Sequence, residues 1–190
     1  MENGCAQLTI HMEHHYLTNR KYIKRMGIAL KILIFGIVAS GKTTLARELS
    51  LRYNIKYYEG DCIAWRFSGE QRYKRTETEQ RNIILDIDKK GDWIIEGTYR
   101  ESQKCLFNMA ETIIFLDTSL NIRKLRIITR FIKQIIGIEK CNYKPTFEML
   151  RLMFKWTDDF EKNRKKYEDM LLLHKHKLVW VKSKKELQEK

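Results

Sequence analysis

Eight residues, Gly36-Ile37-Val38-Ala39-Ser40-Gly41-Lys42-Thr43, fit the spacing G-x-x-x-x-G-K-[ST] at every fixed position. Glycines let backbone N–H groups converge on phosphate oxygens with no Cβ in the way. A helix starting at the end of the loop adds a favourable field for anions. In this arrangement the Lys42 ammonium neutralises β- and γ-phosphate oxygens, and the Thr43 hydroxyl binds Mg²⁺. The expected nucleotide-binding set is Gly36, Ala39, Ser40, Gly41, Lys42, Thr43 and Thr44. The implied ligand is ATP, or another nucleoside triphosphate, together with Mg²⁺.

A second group carries complementary chemistry. Trp93-Ile94-Ile95-Glu96 sets a carboxylate at the end of an apolar run. Ligands of α/β sheets bind at the C-terminal ends of strands. There Glu96 can hold the water shell of the Mg²⁺ opposite Thr43. Arg126 and Arg130 stand four apart, hence on one helix face. Phosphoryl transfer is mostly positioning and charge stabilisation, so Lys42 with such arginines forms a catalytic set. Asp61, after Gly60, either orients an acceptor or takes the proton of an acceptor hydroxyl. Asp117 reads as structural, because Glu96 already fills the metal role. His14-His15 and His174-x-His176 read as surface histidines.

Such a loop needs an apolar strand before it and a helix after it. Leu30–Phe35 is the strand, and Thr43–Tyr53 the helix, with Leu45, Leu49 and Leu51 among its apolar positions. Further strands are expected at Ile55–Tyr58, Trp93–Glu96, Thr112–Asp117 and Leu178–Val181. Helices are expected over Glu77–Lys90, closed by Gly91, and over Asn121–Ile136. Gly137–Pro145 reads as a loop. One long helix is expected from Thr146 to Leu173, with Phe147, Leu150, Phe154, Phe160, Tyr167 and Leu171 on one face, and a short one from Lys184. Five strands alternating with helices imply a parallel sheet covered on both sides: a three-layer α/β/α fold with a five-stranded parallel sheet.

Composition bounds the alternatives. The 190 residues suit one domain, and 43% hydrophobic residues supply a core. One proline and nine glycines exclude collagen-like and proline-rich classes. No apolar run reaches the roughly 18 residues of a membrane helix. The N-terminal stretch carries acidic and histidine residues where a signal peptide is apolar. Cys5, Cys62, Cys105 and Cys141 are scattered, without a CxxC pair. A reduced, cytoplasmic protein is expected. The net charge is +13, of which residues 118–190 hold +10. That asymmetry suits an anionic partner, either nucleic acid or nucleotide phosphates.

Several segments resemble adenylate kinases: Glu96-Gly97-x-Tyr99-Arg100, Gly60-Asp61, and Arg126-x-x-x-Arg130. A closer resemblance is to the bacterial DNA topology modulation proteins, which are adenylate-kinase-like P-loop NTPases. It rests on GKTTLA at 41–46, Asp61 with Trp65, WIIEGTY at 93–99, IIFLD at 113–117, Arg126 with Arg130, and Lys182-Ser183. It spans 30–190 and implies a nucleoside-monophosphate-kinase-like domain with a short helical lid about 131–146, preceded by an extension at 1–29. It also implies Asp61, Trp65, Tyr99 and Arg100 at the acceptor, and Arg164 as a further catalytic arginine. Glu96 stands where that family has Asp, and Thr98 where it has Asn. Ala64 stands where adenylate kinases carry an arginine, which weakens the case for AMP. The expected activity is transfer of the ATP γ-phosphoryl to a small acceptor: a nucleotide, nucleoside or small hydroxyl compound. The alternative is a DNA-associated protein that binds ATP as a switch.

Overall fold

Three runs of β-branched and aromatic residues, Lys31–Phe35 (β1), Trp93–Gly97 (β5) and Thr112–Leu116 (β6), are buried along nearly their whole length. Strands enclosed between two helical layers must be apolar on both faces. A computed structural model describes residues 30–68, 71–139 and 145–189. Besides these strands it contains α1 (Lys42–Tyr53), β2 (Tyr57–Glu59), α2 (Gly60–Ala64), β3 (Trp65–Ser68), β4 (Gln71–Lys74) and α3 (Glu77–Asp88). Then come α4 (Cys105–Met109), α5 (Leu120–Ile135), α6 (Phe147–Lys162), α7 (Arg164–Leu172), β7 (Leu178–Val181) and α8 (Lys184–Glu189).

The main sheet has the order β2-β5-β1-β6-β7, and every neighbouring pair is parallel. The chain leaves β1 toward the β2 edge, then returns past β1 to β6. The switch point therefore lies at the C-terminal end of β1, where a crevice opens for ligands. Alternation along the strands divides the core. Ile32, Ile34, Ile94 and Ile114 pack with Leu45, Leu49 and Tyr53 of α1 on one side. Leu33, Phe35, Trp93 and Ile95 pack with Ile63, Ile84, Phe107, Phe160 and Leu171 on the other. The three layers and the five-stranded parallel sheet are those expected.

Local chemistry sets the ends. Thr76 accepts from the Glu79 amide while the Glu79 carboxylate accepts from the Thr76 amide, a capping box that starts α3. Gly91, at φ +93°, turns the chain from α3 into β5.

Several expectations need correction. The long helix from Thr146 to Leu173 is two helices. The Asn163 amide group donates to the Asp159 carbonyl at 2.7 Å, a local side-chain bond that competes with helix continuation. Nor do its apolar residues share one buried face. Phe147 is 77% exposed, and the buried stripe of α6 is Met153, Thr157 and Phe160. Leu51 of α1 is 79% exposed. The antiparallel hairpin β3–β4 was not anticipated, nor were α2 and α4. Residues 131–135, expected in the lid, complete α5. Residues 140–144 of the expected lid at 131–146, the extension at 1–29, and His14-His15 lie outside the described residues.

Candidate phosphate-binding and phosphoryl-transfer site

The loop from Gly36 to Gly41 joins β1 to α1 at the switch point. Ala39 (φ +59°) and Gly41 (φ +106°) both adopt left-handed backbone, which folds the loop tightly enough for the Ser40 amide to reach the Ile37 carbonyl at 3.2 Å. Gly36 is required for space: a Cβ there would lie 2.8 Å from the Ser40 hydroxyl and 3.0 Å from the Leu116 carbonyl. Gly41 caps α1 without a side-chain bond. The first amides of the helix, from Lys42 to Thr44, have no preceding turn to accept from them and are left for an anion.

Lys42 folds back over the loop and donates to the Ile37 carbonyl at 2.9 Å. It is buried, and burial pulls its ammonium below the ordinary lysine range, opposed by Glu96 and Asp61 nearby. Thr43 donates from Oγ1 to Glu96 Oε1 at 2.6 Å. The expected metal pair is thus in contact, and its two hard oxygens suit Mg²⁺. Among the described residues no group of three or more acids, histidines or cysteines forms a metal cage. The remaining coordination would fall to phosphate and water, as is usual for Mg²⁺ in phosphoryl-transfer sites.

The loop is braced from the α5 side. Arg126 donates to the carbonyls of Ala39 (3.2 Å) and Ser40 (2.7 Å), and Thr118 Oγ1 donates to the same Ser40 carbonyl at 2.8 Å. Arg130, one turn on, pairs with Glu139 at 2.9 Å and lies close enough to act on Lys42 and Glu59 electrostatically. Arg164 sits elsewhere. It donates to both oxygens of Asp117 at 3.0 and 3.1 Å and to Glu161, and this cage of carboxylates raises its pKa further. Glu161 also pairs with Arg123, whose side chain is 0% exposed. Here Arg164 pins the α6–α7 corner to the end of β6. Asp117, read from the sequence as structural, accepts from Arg164 and from Trp180 Nε1.

Asp61 and Arg100, both expected at the acceptor, form an ion pair. Arg100 Nη1 is buried and has no hydrogen-bond partner among the described residues, beside a small hollow lined by Phe35, Gly97, Thr98, Gln103 and Phe107. Tyr99 donates to Glu101 at 2.6 Å, and that bond holds its hydroxyl above the ordinary range. The Trp65 ring stacks with Arg72, whose guanidinium lies 3.8 Å from the ring centroid. Trp65, expected at the acceptor, thus packs within the β3–β4 hairpin.

Three groups escaped the sequence reading. Gln103 donates to the Gly60 carbonyl (2.9 Å) and to Gln80 (3.1 Å), fixing the turn that presents Asp61. Arg75 donates to the carbonyls of Cys62 and Trp65 at 2.7 and 2.6 Å, holding the other side of that segment. Nothing local in the sequence marks these contacts. Glu59 is the third. It lies directly beside Glu96 in the parallel register of β2 and β5. Burial, then Glu96 and Asp61, push its carboxyl above the ordinary range. An acid closing a strand at the sheet's C-terminal edge was the available signal.

This geometry defines a three-layer α/β/α fold with a five-stranded parallel sheet and a glycine-rich loop at its switch point. No family model matches the chain, and no curated protein does. Among solved structures it is similar to shikimate kinase from Bacteroides thetaiotaomicron, with 13% identity over 73% of this chain and 80% of that one, at a TM-score of 0.43. It is similar to deoxyadenosine kinase from M. mycoides, with 16% identity over 80% and 90%, at a TM-score of 0.41. It is also similar to an uncharacterized protein from Eubacterium ventriosum, with 17% identity over 79% and 86%, at a TM-score of 0.47.

Proposed function

We propose that the chain is an ATP-dependent phosphotransferase that moves the γ-phosphoryl group to a small acceptor. The observation that carries this is the meeting of buried Lys42, the Thr43–Glu96 pair and Arg126 on one loop at the switch point. The loop amides and Lys42 take the β- and γ-phosphates. Thr43 and Glu96 would hold a Mg²⁺ ion, which would supply positive charge against the phosphates. Arg130 can leave its exposed pairing with Glu139 at little cost, because surface ion pairs contribute about 0–1 kcal/mol. It is the arginine best placed to meet charge developing on the transferred group. Arg164 would first have to leave Asp117 and Glu161, so its catalytic role is the weakest of those expected. Asp61, Arg100 and Tyr99 form the acceptor side.

The DNA-associated reading draws on net charge. Lys124, Arg130, Arg164 and Lys165 pair with Asp158, Glu139, Asp117 and Asp169, but residues 118–190 keep a net charge of +10 with every acid there counted. The phosphotransferase is favoured instead by the loop itself, where Lys42, the Thr43–Glu96 pair and Arg126 meet. Calorimetric titration with ATP and Mg²⁺ tests it. Lys42→Ala should abolish tight binding, and Arg130→Ala should keep binding while lowering turnover. Unchanged ATP binding by Lys42→Ala removes the site assignment.

A further inference from the structure

α5 turns its apolar side away from the protein. Ile122, Leu125, Ile128, Ile132 and Ile135 recur three or four apart, with Ile136 at the helix end, and so share one face. Each is between 43% and 65% exposed. The residues that α5 buries are Arg123, Ile127 and Gln134, two of them polar. A surface helix ordinarily does the reverse, burying its isoleucines and wetting its polar side. Phe147, at the start of α6, extends the patch: its ring meets Phe131 at 5.3 Å and stays exposed. Single exposed apolar residues are normal, but a continuous stripe of this kind marks an interaction surface. The same helix carries Arg123, Lys124, Arg126, Arg130 and Lys133, and no acid. At 3.6 residues per turn, Lys124 falls on one flank of the stripe and Lys133 on the other. Lys124 pairs with Asp158, and both side chains are exposed, so the pairing is cheap to exchange.

We propose that the outer face of α5 docks on the surface of an anionic lipid bilayer. The helix lies in the headgroup plane, with its isoleucines at the acyl boundary and its flanking lysines at the lipid phosphates. Charge and apolarity together choose this occupant. Nucleic acid would meet the bases but leave the stripe in water. A second copy of this chain would cover the stripe, but a helix without an acid would set base against base. An anionic bilayer meets both features at once. It also gives a use to the net charge of +10 carried by residues 118–190, which the phosphate loop does not absorb. The helix rests on the bilayer and need not cross it. This inference is independent of the phosphotransferase reading.

Co-sedimentation of the full chain with lipid vesicles tests this. One set is pure phosphatidylcholine, and the other is phosphatidylcholine mixed with phosphatidylglycerol. Binding to the mixed vesicles should be about ten-fold or more tighter than to the neutral ones, and should weaken as salt rises. The double variant Leu125→Ser, Ile132→Ser should bind the mixed vesicles about ten-fold or more weakly than the parent. Both side chains face solvent, so the variant should melt as the parent does. Lys133→Ala should weaken binding about five-fold, and it keeps the test decisive if the double variant does not fold. Equal binding to both vesicle sets, binding to neither, or a folded variant of either kind that binds as the parent does overturns the proposal. A dimer in sedimentation velocity that the double variant dissolves, without vesicle binding, also overturns it and gives the face to a second copy. Binding of duplex DNA that Lys133→Ala weakens, again without vesicle binding, overturns it in favour of nucleic acid.

Discussion

At the residue scale, the loop leaves little tolerance for extra atoms. Gly36 is the sharpest case, since one of the atoms a Cβ would meet is the Leu116 carbonyl, a backbone group inside the sheet. Gly36→Ala should destabilise the fold by about 1–3 kcal/mol, as overpacking does, and weaken ATP binding at the same time. Urea denaturation and titration with ATP check both halves. A variant of parental stability and affinity would show that the loop yields more easily than its contacts imply. The loop from Gly36 to Thr43 was readable in sequence because its residues stand at short, contiguous spacing. Glu59, Gln103 and Arg75 were not. Their partners lie on other elements, and no local pattern carries that information.

At the scale of elements, strands were easier to read than helices. β1, β5 and β6 are continuous apolar runs because both sheet faces are covered. The α6–α7 break was hidden because both sides of Asn163 are helix-forming and hydrophobic periodicity carries no mark of its side-chain bond back to the Asp159 carbonyl. The β3–β4 hairpin was hidden by short strands rich in Arg and Lys. The corner supplies a pH prediction. Burial opposes ionisation of Glu161, but Arg164 and Arg123 outweigh it and hold its carboxyl below the ordinary range. Its folded proton affinity is therefore lower than its unfolded one. The stabilisation is present above the ordinary glutamate pKa of about 4.3 and is lost as pH falls through the lowered folded value. Thermal melts should show parental protein losing stability in that acid window, and Glu161→Gln should be less stable at neutral pH and lose less on acidification. Parallel melting curves for the two proteins across that window would refute this account.

At the scale of the molecule, ligand linkage gives a direct readout. A nucleotide that binds only the folded chain stabilises it by about 2.7 kcal/mol at a concentration 100 times Kd. For a chain of this size that corresponds to a rise in Tm of roughly 5–10 °C. ATP with Mg²⁺ should produce such a rise in the parental protein and none in Lys42→Ala. A rise of the same size in both would place the nucleotide somewhere other than the loop. The described residues include no helix long and apolar enough to cross a membrane.

The hold of Arg126 and Thr118 on the Ser40 carbonyl has a thermodynamic corollary. A cradle fastened before its guest arrives has little motion left to surrender, so nucleotide capture should carry a small ordering penalty. Severing that fastening at Thr118 should then slacken the grip through entropy while the contacts to the guest stay the same.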